Sequence, residues 1–241
     1  MGRYIFIYLF KVSANALIFF IKIIYNLSRG GFMFKKKEKK HFFNVTPDMS
    51  EYGTIVNLFQ NDYEKTTYEY INVNYGIIGI EKGAFKNLIS LKEIIINDSV
   101  RVVEAQSFYG CKKLTTVKLP KAITEISSEL FYDCYMLENI TLPETVRKIG
   151  SNAFSNCKSL KEIKLPSSLR IIGSSAFSGC IELKYLEIPS DVISIGNDII
   201  KDTNIDYVIL NNRFNEKLDE ILPGYKEVEE LEKNMLKVIF K

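Results

Sequence analysis

The chain has 241 residues, 46% of them apolar, and a formal net charge of +3, which allows one ordinary folded unit with short flanks. The charge is unevenly spread: residues 1–44 hold nine Lys or Arg against one Glu, leaving 23 basic and 28 acidic residues in 45–241. The folded part is therefore mildly acidic, which argues against a basic groove for nucleic acid.

Residues 4–27 are strongly apolar, broken mainly by Lys11 and Lys22, and are long enough to span a bilayer. Three readings of residues 1–32 stay open: a membrane anchor impaired by Lys11, an upstream extension preceding a true start at Met33, or a signal peptide ending near Ala14-Asn15-Ala16. The run Lys35, Lys36, Lys37, Lys39 and Lys40 reads as a solvated flank or a patch for anionic headgroups. Beside an anchor, it would keep the repeats on the cytoplasmic side. Residues 33–67 form a basic linker followed by a capping helix over 47–63, where Ile55, Val56, Leu58 and Phe59 take helical spacing behind Ser50 as N-cap.

From residue 68 to 210 the chain repeats itself. Phe stands at 85, 108, 131, 154 and 177, a constant step of 23, and Cys111, Cys134, Cys157 and Cys180 keep the same step, as do Leu91 to Leu183 and Pro120 to Pro189. Within a unit such as Leu160 to Pro166, Ile163 and Leu165 alternate with polar residues, the pattern of a strand with one buried face. The Pro that follows closes it. Leu169 and Ile172, three apart ahead of Gly173 and Phe177, suit a short turn or single helical turn folded back over the strand.

One coil cannot bury its own apolar face, so stacking is obligatory and each Phe should lie roughly 4.8 Å from the next. Strands are expected near 70–73, 93–96, 116–119, 139–142, 162–165, 185–188 and 207–210. The last follows a one-residue deletion at 203–205. The fold class is a repeat solenoid: a right-handed coil with one parallel β-sheet of about seven short strands, flanked by helical caps. The C-terminal cap, residues 211–241, reads as two helical pieces over 214–222 and 225–240 separated by Pro223-Gly224, the second with an apolar stripe of Val228, Leu231, Met235 and Ile239.

Residues 146–166 and 169–189 follow the pattern I-x-x-I-G-x-x-A-F-x-x-C-x-x-L-x-x-I-x-L-P closely. This resembles the BspA-like leucine-rich repeat family, the spirochaete type of about 23 residues, and the likeness covers 71–210. Outer repeats depart from it: Leu88 takes the Cys position, Asn97 the Pro position, Glu104 and Ser127 the Gly position, and Ile200 the Phe position. The resemblance implies a curved solenoid whose strand face binds macromolecules, often in adhesion at a cell surface. It does not imply which ligand.

Chemistry is sparse. The four cysteines lack the paired spacing of zinc ligands and read as small core side chains. His41, the single histidine, stands alone beside the lysine run, and no nucleophile elbow, phosphate-binding loop or dinucleotide fingerprint occurs. No enzyme, metal or cofactor is expected.

Binding is therefore expected from shape. The outward strand residues form two columns: Tyr70, Glu93, Thr116, Asn139, Glu162, Tyr185 and Tyr207, and beside them Asn72, Ile95, Lys118, Thr141, Lys164 and Glu187. Tyr185, Tyr207 and Ile95 are the aromatic and apolar anchors within a polar rim. Two readings remain: a membrane-tethered or cell-surface module taking a protein or glycan ligand on this face, or a soluble cytoplasmic scaffold starting at Met33.

Overall fold

The computed structural model describes residues 42–45, 54–55, 68–231 and 234–240. These belong to one compact unit, Lys40–Lys241. The apolar stretch 4–27, the lysine run and His41 lie outside the described residues.

Two rows of parallel strands run along the stack. The first row holds β1 (Phe42–Val45), β3 (Tyr70–Val73), β5 (Glu93–Ile96), β7 (Thr116–Lys118), β9 (Asn139–Thr141), β11 (Glu162–Lys164), β13 (Tyr185–Glu187) and β15 (Tyr207–Asn211). In each paired step Tyr70 faces Glu93, Glu93 faces Thr116, Asn139 faces Glu162 and Tyr185 faces Tyr207, the register set by the 23-residue step and the one-residue deletion.

The second row lies on the return leg: β2 (Thr54–Ile55), β4 (Gly79–Ile80), β6 (Val102–Val103), β8 (Glu125–Ile126), β10 (Lys148–Ile149), β12 (Ile171–Ile172) and β14 (Ser194–Ile195). It runs where a turn or single helical turn was expected. Two residues per coil suffice to pair with the coils on either side, because the stack repeats in register.

Neither row is one continuous ladder. The first divides into β1-β3-β5-β7, then β9-β11, then a sheet beginning β13-β15, and the second into β2-β4-β6 and β8-β10-β12-β14. Proline contributes to the thinning of the first row. Asn97, which takes the proline position in its coil, donates its N–H to the Val73 carbonyl at 3.0 Å. Pro120, Pro143, Pro166 and Pro189 have no N–H to give, so those coils lose that bond.

A third ladder joins the coils on the side opposite the strands, and this one is unbroken. The N–H groups of Gly83, Phe85 and Asn87 donate to Ala105, Ser107 and Tyr109 of the following coil, and the same triplet recurs in each coil through Ser175, Phe177 and Gly179 donating to Asn197, Ile199 and Lys201. The backbone turns each of these N–H groups the same way by taking a left-handed residue on both sides of the Phe. One column is Gly83, Gln106, Glu129, Asn152, Ser175 and Asp198, the other Asn87, Gly110, Asp133, Asn156, Gly179 and Asp202, all with φ between 55° and 71°. Gly, Asn and Asp dominate because they adopt that region most easily.

The apolar interior fills the space between these ladders. Phe85, Phe108, Phe131, Phe154 and Phe177 are fully buried and stack with centroids 5.4–5.6 Å apart and planes within 3–15°. That spacing exceeds the expected strand spacing because parallel rings prefer an offset. Beside them, each cysteine thiol donates at 3.2 Å to a phenylalanine carbonyl of the preceding coil: Cys111 to Phe85, Cys134 to Phe108, Cys157 to Phe131 and Cys180 to Phe154. All four are free thiols in the core, and among the described residues no buried side-chain polar atom lacks a partner.

Both ends depart from the expected helical caps. Thr54–Ile55, inside the stretch expected as the N-terminal helix, is strand β2, and Phe42–Val45 pairs with Tyr70–Val73 as an earlier rung. The rest of 47–63 lies outside the described residues.

At the C-terminus the first helical piece is present. Asn211 accepts from the Arg213 N–H and starts a 3-10 helix, Asn212–Lys217, which runs into the single-turn α1 (Leu218–Ile221). Phe214, Leu218 and Ile221 are buried, and the Glu220 and Ile221 carbonyls accept the last bonds of the phenylalanine-side ladder, from Asp198 and Ile199.

The second piece is a hairpin, not a helix. β17 (Met235–Ile239) pairs antiparallel with β15, and β16 (Glu227–Leu231) pairs antiparallel with β17. The apolar residues that matter alternate by two: Leu236 and Val238 are buried, whereas Leu231 of the expected helical stripe is exposed. An edge strand with open backbone groups recruits a strand more strongly than a helix face recruits it, and that tertiary demand overrides the helical spacing.

Candidate functional site

Every residue expected on the strand face is placed at an outward position of the first row. Thr116, Lys118, Asn139, Thr141, Glu162, Lys164 and Glu187 are exposed, as are Ile95 and Tyr185, each 38%. Tyr70, Asn72, Glu93 and Tyr207 are half-buried. Tyr185 and Tyr207 stack face to face with centroids 5.8 Å apart, and the Lys237 ammonium from β17 lies 5.3 Å from the centre of the Tyr207 ring.

The middle of this face opens into a groove of about 1040 Å3. Its outward walls are Asn139, Thr141, Glu162, Lys164, Tyr185 and Glu187, so six of the expected face residues come together there. Tyr70, Glu93, Ile95, Thr116, Lys118 and Tyr207 lie on the same face but outside the groove.

The groove runs across β9, β11 and β13 to Ile209 of β15 and Met235 of β17, and it includes the step at which β11 and β13 are not hydrogen-bonded neighbours. Towards the N-terminal end of this face the inward residues are sealed: Val73, Ile94 and Ile96 are each 0% exposed. Along the groove, Ile140 at 7%, Ile163 at 8% and Leu165 at 6% are slightly less covered and form an apolar floor within a polar wall. That is the anatomy of a recognition surface, with a desolvated centre and a wet rim.

Glu144, Ile209 and Met235 also line the groove and were not singled out from sequence. Glu144 follows the strand-ending Pro143, and a column count would have reached it. Met235 comes from the hairpin, which helical spacing concealed.

A second aromatic cluster sits on the flank. Tyr109 and Tyr132 stack at 4.8 Å, Lys86 lies 4.3 Å from the Tyr109 ring centre, and Tyr135 is flanked by Lys112 at 5.5 Å and Lys158 at 4.9 Å. Burial raises the Tyr109 and Tyr135 hydroxyls above their usual range, with the nearby Asp133 carboxylate adding to the effect. Among the described residues no group of acidic, cysteine or histidine side chains is arranged to hold a metal.

The model of the BspA type leucine rich repeat region matches residues 57–180 and 147–233, in six copies. The chain belongs to that family. It is similar to a leucine rich cell surface protein from Faecalibacterium prausnitzii A2-165, with 27% identity over 69% of this chain and 44% of the other and a TM-score of 0.56. It is also similar to the leucine rich repeat protein of T. pallidum, with 26% identity over 56% of this chain and 71% of the other and a TM-score of 0.49. The chain thus spans less than half of the Faecalibacterium protein. No curated protein matches the chain.

Leucine-rich repeat proteins of this kind are generally non-enzymatic interaction modules that bind proteins, and BspA-type members are often bacterial cell-surface proteins. Among the described residues no helix is long and apolar enough to cross a membrane.

Proposed function

We propose that this BspA-type repeat protein is a non-enzymatic interaction module, membrane-tethered or at the cell surface, that binds a protein or glycan ligand through its strand face. The observation that carries the reading is the groove across β9, β11 and β13, where an apolar floor and six outward strand residues converge on one concave surface. Membership of the repeat family and the likeness to a cell surface protein of Faecalibacterium prausnitzii support it.

The test is to screen the labelled full chain against a protein and glycan panel and then challenge each hit with Thr141→Arg and Ile95→Asp. Both positions are exposed, so folding, followed by circular dichroism, should be unchanged. A ligand lost with either variant supports the strand face; a ligand retained by both places binding elsewhere. Protease shaving of intact cells tests the location: digestion of the repeats from outside supports a surface protein, and full protection overturns it.

A further inference from the structure

The groove has a charge pattern that selects its occupant. Around the solenoid, lysines pair with carboxylates one coil away at a step of 23: Lys92 with Glu69 at 3.0 Å, Lys121 with Asp98 at 3.7 Å, Lys148 with Glu125 at 3.0 Å and Lys161 with Glu138 at 2.9 Å. Lys164 and Glu187 stand at the same step, yet the seam between β11 and β13 lies between them and no ion pair joins them. Glu144 and Glu162 also line the groove without an ion-pair partner among the described residues. Three carboxylates against one ammonium make the groove anionic.

The tyrosine stack ends there as well. Lys237 covers Tyr207 and Tyr207 covers Tyr185, but the next residue of that column is Glu162, and among the described residues no ring or lysine lies over the remaining face of Tyr185. Two half-buried tyrosines of this protein carry a cation: Lys86 lies over Tyr109, and Lys112 and Lys158 over Tyr135. A cation over a ring gains most when carboxylates flank it and water is partly excluded.

We infer that the groove docks a protein segment bearing an arginine or lysine, with the cationic head on the open Tyr185 ring between Glu162 and Glu187 and the side-chain stem over Ile163 and Leu165. This rests on the strand-face reading and narrows its ligand to a basic protein segment. A neutral sugar gains hydrogen bonds from the carboxylates but leaves their charge uncompensated, whereas a cation supplies both, and an acidic partner is repelled.

The test is a calorimetric titration of the full chain with an acetylated arginine-glycine peptide and with its citrulline counterpart, which keeps the shape and removes the charge. Saturable binding of the arginine peptide alone, weakened by salt, is expected. Tyr185→Leu and Glu162→Gln should each weaken it about tenfold, and Lys164→Ala should tighten it. Equal binding of the two peptides, or affinity unchanged in both Tyr185→Leu and Glu162→Gln, overturns the proposal.

Ligands from the panel screen separate this failure from failure of the broader reading. A ligand released by Ile95→Asp and kept by Tyr185→Leu leaves the strand face in place and removes the cation site, and one kept by both variants removes both.

Discussion

The two long sides of each coil do opposite work. On the phenylalanine side three backbone bonds and a ring repeat in each coil without interruption from Gly83 to Lys201, joined by a thiol in every coil from Cys111 to Cys180. On the strand side the pairing breaks twice, and core residues such as Ile163 reach the surface. The stack is bonded continuously where the chain turns, whereas the strands are bonded in separate sheets. The proposed recognition surface and the structural spine are thus separated within a repeat of 23 residues.

The largest expected effect tests this division. Phe154→Ala should cost about 3–5 kcal/mol, because it opens a closed cavity in mid-stack. Ile163→Ala, beside a groove that water already enters, should cost about 2 kcal/mol, the low end for a buried aliphatic side chain. Urea melts of the two variants measure the difference, and equal losses would break the comparison.

The thiol ladder provides the next test. Burial pushes Cys111 and Cys180 up to about 12 from an ordinary 9.0, and it raises Cys134 and Cys157 well above that ordinary value too. A thiol with a raised folded value holds its proton more tightly folded than unfolded. Its contribution is therefore complete below the ordinary value and is lost as pH climbs from 9.0 towards about 12. Thermal melts should show stability falling steadily over that window, with the fall reduced in Cys157→Ala. A flat profile across the window would remove the thiols from the spine. For the same reason, labelling of the native protein by a thiol reagent should be far slower than that of free cysteine.

Much of this arrangement was legible in the residues. The period places seven first-row strands correctly, because each inward pair such as Ile163 and Leu165 alternates by two and each proline marks a stop. The second row was hidden: a strand of two residues has no period of its own, and Leu169 and Ile172 match a turn equally well. The C-terminal hairpin was hidden for another reason. Val228, Leu231, Met235 and Ile239 take helical spacing, and only the open edge of β15 decides for strand. The groove lay beyond sequence altogether: its wall columns are the expected ones, but a constant period says neither which coils enclose it nor which steps of the ladder fail to pair. Proline at 143 and 189 is shared with proline at 120 and 166, where pairing survives.

Close approach of the coils gives a smaller effect on the return leg. A Cβ on Gly173 would overlap the backbone nitrogen of Ser151 in the preceding coil, and backbone cannot step aside as a flexible side chain does. Gly173→Ala should therefore cost about 1–3 kcal/mol by forcing two coils apart. A loss within error of zero would show that the coils slide freely at this point. The same measurement on Gly83→Ala serves as a control for crowding, because nothing there is closer than ordinary contact, although its left-handed backbone carries a cost of its own.

The smallest effect has the opposite sign and lies only two residues further on. Ser175 sits at φ 55° in the left-handed column, donating its N–H to Asn197 at 2.9 Å. An ordinary residue held there gives up about 1–2 kcal/mol to the clash between its Cβ and the carbonyl oxygen. Ser175→Gly removes that clash and keeps the backbone bond, while the unfolded chain gains about 0.5–1 kcal/mol of freedom. The balance is a stabilisation of about 0.5–1 kcal/mol, readable as a higher urea midpoint at unchanged slope. Destabilisation instead would mean that the left-handed column is imposed by the ladder at no local cost, in which case Gly, Asn and Asp at its other positions reflect the turn's hydrogen bonds and not its backbone angle.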